Sequence, residues 1–179
     1  AVAELCYSKV EDMNWLGAQT GIETGSERLI AKHMRGKALP SPAERWREIV
    51  LQAFGILDDN NWICAATLIN GLPGETADDV IKSIELVEDL KKTSTLSLMV
   101  PMNFVSMRGS ALDTEESFNM RKMTREHWQL MGECIDHDLR VVPRLLRMYR
   151  NSKGIKSWLL SLAATRMANA LQKYVNKMK

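Results

Sequence analysis

Cysteine is scarce in this sequence of 179 residues: Cys6, Cys64 and Cys134 stand 58 and 70 positions apart. That spacing fits no zinc motif, no redox CxxC pair and no even-numbered disulfide framework, so it reads as small buried thiols in a reducing compartment. No apolar run approaches the ~20 residues of a membrane-spanning helix. The opening AVAELCYSKVED lacks both the basic start and the apolar core of a signal peptide, which makes the cytoplasm the default compartment. Phosphate-binding signatures are also missing: there is no GxxxxGK followed by Ser or Thr, and GIETGS is not GxGxxG, which argues against a nucleotide polyphosphate. Acidic residues stop before Leu139; from there to the end ten Lys or Arg stand unopposed, while the first 138 residues hold 14 basic and 22 acidic side chains. The net charge of +2 therefore hides two halves of opposite sign. A hydrophobic fraction of 45% with 26% charged residues is that of an ordinary globular protein.

Strand and helix patterns alternate along the chain. NWLGAQT reads as a short buried strand, and SERLIAKHM after it has helical spacing at Leu29, Ile30 and His33. In LPSPAERW, Ser41 is a natural N-cap, Pro42 suits the first helical turn, and Glu44 completes a capping box. Trp46, Ile49, Val50, Ala53, Phe54 and Leu57 then fall on one helix face. WICAATLIN is a nearly continuous apolar run between turn residues, the pattern of a strand buried on both faces. Thr76 caps the next helix, with Asp78 and Asp79 in its first turn, where the helix dipole favours anions. A third strand follows in LSLMVPMNFV. Strands separated by helices imply a parallel α/β sheet.

Chemistry in parallel sheets gathers at the carboxyl ends of the strands. The first end carries Gly21, Glu23, Thr24, Gly25 and Ser26; the second Asn70, Gly71, Pro73, Gly74 and Glu75; the third Pro101, Asn103 and Ser106. Glycines let a ligand approach the backbone, and a carboxylate accepts hydrogen bonds from two hydroxyls of a ribose. A plain strand-to-helix turn with Ser26 as N-cap accounts for GIETGS equally well.

Three motifs in order, QTGIETGSERLI with HMRGKALP, TLINGLPGETADDVIKSIELVEDL, and LMVPMNFV, resemble the second half of a radical S-adenosylmethionine (SAM) enzyme barrel, and more narrowly archaeal members of its cobalamin-binding branch, over about residues 12 to 110. The resemblance implies a partial, half TIM-like barrel over residues 1–112 and a helical extension over 113–179. It implies that Gln19, Glu23, Thr24 and Ser26 serve the ribose and methionyl ends of SAM, and that Ile69, Asn70 and Gly71 meet its adenine. The family's CxxxCxxC loop for a 4Fe-4S cluster is absent here, and Ala1 is not a methionine, so the expectation is a carboxyl-terminal fragment. The cluster ligands and any cobalamin domain would lie outside it, with the missing N-terminal part of the same enzyme as its partner. The intact enzyme would cleave SAM reductively, with methyl transfer through cobalamin as one form of the chemistry; the substrate is a small molecule that these residues do not identify. Two alternatives stay open: a cluster-free α/β relative that binds a nucleoside-like ligand, and a peripheral membrane or scaffold module.

His127, Cys134 and His137 share one helical stripe in MTREHWQLMGECIDHDL, but ligands seven residues apart sit ~10 Å apart along the axis. Core or interface packing is the reading, with no metal site. In GIKSWLLSLAATRMANALQKYVNKMK, apolar residues including Trp158, Leu159 and Leu162 form a face edged by Lys153, Lys156, Arg166, Lys173 and Lys177. Such a helix covers the protein or lies on an anionic membrane. Nucleic acid ranks third, since no recognition motif accompanies the charge.

Overall fold

The computed structural model describes residues 15–152. Strand β1 (Leu16–Glu23) leads through α1 (Glu27–His33) and a 3-10 turn (Ala43–Arg45) into α2 (Trp46–Asp59). Then come β2 (Trp62–Asn70), α3 (Ala77–Thr93), β3 (Leu98–Asn103), a second 3-10 turn (Met120–Lys122) and the long α4 (Arg125–Ser152). The strands form one parallel sheet in the order β1-β2-β3. This is the α/β alternation expected from the sequence. The basic segment 153–179, with its membrane reading, and Cys6 lie outside the described residues. Among the described residues no helix is long and apolar enough to cross a membrane.

Alternation along the strands divides the sheet into two unlike faces. Cys64, Ala66 and Leu68 of β2 and Met99 of β3 are buried beneath Val50 and Phe54 of α2, Val80, Ile84 and Val87 of α3, and Leu130 and Cys134 of α4. Each large apolar side chain in that layer contributes about 1.5–3 kcal/mol by leaving water. The opposite face carries Gly17, Gln19 and Gly21 beside Ala65, Thr67 and Ile69, then Leu98, Val100 and Met102. Val100 is 39% and Met102 51% exposed, so helices cover one side of the sheet and leave the other open among the described residues. β2 is thus buried on one face only, where the apolar run suggested both.

The start of α2 differs from its sequence pattern. Pro42 adopts an extended ψ of 154°, so the flanking position falls one residue after Ser41 and no side chain caps the turn. Thr76, by contrast, caps α3 as expected: its N–H donates to Asp79 at 2.8 Å and its hydroxyl at 2.6 Å. Trp46 opens α2 and sends its indole N–H to the Thr24 carbonyl at 2.9 Å.

Helix α4 packs on α3 and β3 and is tied to both by polar groups. Lys91 of α3 is sandwiched by Glu133 and, at 3.0 Å, Asp136 of α4. Asp138 accepts the Met99 N–H of β3 at 2.7 Å. Burial pushes the Asp138 carboxyl up to about 7, against the pull of that N–H. A carboxyl raised in the folded state contributes stability that is fully present below its unfolded value of 3.8 and is lost as the pH climbs through about 7. Asp138→Asn keeps an acceptor for Met99 and cannot ionise. Urea unfolding should give matching midpoints for variant and wild type near pH ~4, and a more stable variant near pH ~8, by on the order of 2 kcal/mol after allowing for partial exposure.

Candidate functional site

The sheet's open face deepens at the carboxyl ends of the strands into a cavity of about 430 Å³, lined by Glu23, Lys37, Thr67, Ile69, Met102 and Asn103 among others. Its size is that of a small-molecule site, and its walls are mostly apolar with few polar groups, as such sites are built.

Glu23 reaches this cavity through a local irregularity. The register slips between Gly21 and Glu23, so that Glu23 pairs with Leu68 rather than Ile69, and its backbone turns to φ 65°. Only a few per cent of non-glycine residues adopt that region, and those that do concentrate at functional positions. The bulge brings the carboxylate beside Thr67, whose hydroxyl lies 3.5 Å from Oε2. Lys37 Nζ donates to Oε1 at 2.6 Å and to the Gly21 carbonyl at 2.7 Å. A Cβ on Gly21 would sit 2.0 Å from Glu23 Oε1, so a larger residue there displaces the carboxylate from this position.

Thr24 and Ser26 follow Glu23 but turn away, both wholly buried. Thr24 Oγ1 lies 3.2 Å from Ser83 Oγ, which also accepts the Gly25 N–H at 2.8 Å. Ser26 Oγ donates to Asp79 at 2.5 Å and caps α1 by accepting the Leu29 N–H. A Cβ on Gly25 would lie 2.4 Å from the Lys82 carbonyl oxygen, so the close approach of α3 depends on that glycine. Asp79 is 2% exposed and also takes Arg28. Burial opposes its ionisation, yet the hydrogen bonds from Arg28, Ser26 and Thr76 outweigh burial and hold the carboxyl well below the usual range. These hydroxyls fasten the Glu23 loop to α3.

The end of β2 divides in the same way. Ile69 lines the cavity, whereas Asn70 is buried and its side-chain amide has no hydrogen-bond partner among the described residues. Gly71 has φ 77° and lies under the Phe118 ring, 2.0 Å from where its Cβ would be. Its N–H donates to Glu75 Oε2 at 2.6 Å. Gln19 is exposed on the open face, outside the cavity lining. Of the seven residues singled out from sequence, the structure brings Glu23 and Ile69 together at the cavity. Lys37, Thr67, Asn103 and Met102 join them there. HMRGKALP contains Lys37, but nothing in its pattern signals the partnership with Glu23.

The three candidates on the α4 stripe are all buried. His127 Nδ1 accepts the Thr124 N–H at 3.0 Å, which places the ring proton on Nε2, from where it is donated to Glu75 at 2.9 Å. Burial raises the Glu75 carboxyl, opposed by His127 and the Gly71 N–H. His137 donates to the Ser97 carbonyl at 2.9 Å, and its burial lowers its basicity. Burial pushes the Cys64 and Cys134 thiols up, away from the thiolate a metal requires. Among the described residues no three His, Cys, Asp or Glu side chains are grouped to hold a metal ion.

No protein-family model matches the sequence, and no curated protein matches it significantly.

Proposed function

We propose that this chain is the carboxyl-terminal part of a radical SAM barrel, and that its cavity takes the adenosyl portion of S-adenosylmethionine. The observation that carries the reading is the Glu23 carboxylate, aimed by a bulge at positive φ into an apolar cavity at the ends of three parallel strands. A ribose diol supplies the two donors that a carboxylate accepts, and Ile69, Met102 and Met34 offer apolar walls for a base. The open sheet face, with Val100 and Met102 exposed, supports a larger closed barrel in which that face is interior.

The residues fit the nucleoside and do not fit the cluster. Cys64 and Cys134 are buried thiols with raised pKa values, so the ligands of a 4Fe-4S cluster belong to polypeptide outside residues 15–152. This chain's own contribution is to bind and orient: Glu23 holds hydroxyls, Lys37 and Thr67 hold Glu23, and α3 holds the loop.

Equilibrium titration of the full chain with SAM tests this. Glu23→Gln should weaken binding at least tenfold, the loss of a charge-assisted hydrogen bond of about 1.5–3 kcal/mol. Gln19→Ala, outside the cavity lining, should leave the affinity unchanged. Equal affinities for wild type and Glu23→Gln would remove the assignment. Free adenosine bound as tightly as SAM would favour the cluster-free nucleoside-binding relative, which the same carboxylate supports.

A further inference from the structure

Glu23 and Lys37 are two of the polar groups that line the cavity; His33 is a third, with no part in holding a ribose. It is the last residue of α1, half-buried, and forms the cavity wall together with Met34. The turn that follows β2 holds its ring. Leu72, Pro73, Gly74 and Glu75 make that turn, closed by the Glu75 N–H donating to the Leu72 carbonyl at 2.9 Å. Proline in the second place and glycine in the third, with φ 74°, are the signature of a type II turn. The closing bond uses the Leu72 carbonyl and leaves the Pro73 carbonyl free to accept from outside the turn. His33 Nε2 lies 2.8 Å from that oxygen, and Lys32 Nζ 3.4 Å.

A carbonyl oxygen only accepts, so the proton of the neutral imidazole sits on Nε2 and Nδ1 keeps a bare lone pair. Among the described residues no other group bonds to this ring. The turn therefore fixes what His33 can do as well as where it lies. Nδ1 accepts one hydrogen bond, and it cannot donate unless the ring gives up Pro73. The other polar groups of the lining discriminate less. Thr67 and Ser110 hydroxyls and the Asn103 amide both donate and accept, so they suit either kind of ligand atom. Lys37 spends its donors on Glu23 and the Gly21 carbonyl.

We infer that His33 determines which base the cavity takes: its Nδ1 accepts an N–H of the ligand, so the site selects a nucleoside whose base presents an amino group there over one that presents a carbonyl. Adenosine and inosine differ in this way, with an amino group on the purine ring of one and an oxygen in its place on the other. An oxygen set against Nδ1 brings two acceptors together with no proton between them, which costs more than a contact merely absent. The inference rests on the nucleoside reading of the cavity and goes beyond it, since Glu23 and the apolar walls treat the two nucleosides alike.

Equilibrium titration of the full chain with adenosine and with inosine tests it, alongside nitrogen NMR of the His33 ring. The wild type should bind adenosine about tenfold tighter than inosine. His33→Ala should lose that preference by weakening adenosine and not inosine, whereas Glu23→Gln should weaken both alike. With the ring neutral, the Nδ1 signal should be that of an unprotonated nitrogen, and adenosine should shift it towards the hydrogen-bonded range while inosine does not. Adenosine bound with an unmoved Nδ1 signal would overturn the inference and spare the nucleoside reading. Equal affinities of the wild type for the two nucleosides, or a ring proton found on Nδ1, would do the same. A wild type that binds neither nucleoside would overturn both.

Discussion

Asp79→Ala breaks a buried ion pair and should lower the unfolding free energy by about 3–5 kcal/mol, a large part of the ~5–15 kcal/mol that holds a typical domain together. One buried carboxylate here gathers Ser26 Oγ, Arg28, the Thr76 hydroxyl and the Thr76 N–H. Its removal uncaps α3 and leaves the Ser26 hydroxyl, itself wholly buried, without its acceptor. Because the folded carboxyl is depressed, its stabilisation is fully present above the unfolded value of 3.8 and is lost as the pH falls below it. Asp79→Asn should therefore be markedly weaker than wild type near pH ~7, with the gap narrowing under acid, as measured by urea midpoints across that range.

Lys91→Met should have an effect of similar size for a different reason. Glu133 is 6% and Asp136 3% exposed, and Lys91 is the cation that α3 sends between them. Removing one partner from a buried ionic cluster costs about 3–5 kcal/mol, chiefly because the remaining charges stay out of water. Arg140 also reaches Asp136, at 3.0 Å from the solvent side. A triple variant that adds Glu133→Gln and Asp136→Asn should recover much of the loss at neutral pH; failure to do so would mean that the lysine stem, and not its charge, holds α4 in place.

The parts of the fold that depend on local pattern were legible in the sequence. The alternation of strands and helices, the Ser26 and Thr76 caps and the apolar stripe of α2 each follow from period or cap chemistry within a few residues. Ser41 shows the limit of that reasoning, since a good capping residue is overridden when the following proline takes an extended ψ. The site was only half legible for a related reason. Residue type marks Thr24, Ser26 and Glu23 alike as polar groups at a strand end, but which way each points depends on contacts between 53 and 59 positions away for the hydroxyls and on a one-residue register slip for Glu23. Lys37, 14 residues from its partner across an irregular loop, carries no such local signature.

The fastening of Thr24, Gly25 and Ser26 to Ser83 and Asp79 means that Glu23 is steered from the rear. Substitutions at positions such as Ser83, outside the cavity lining, should shift the carboxylate. The shape of the cavity can then drift while every side chain that borders it stays the same.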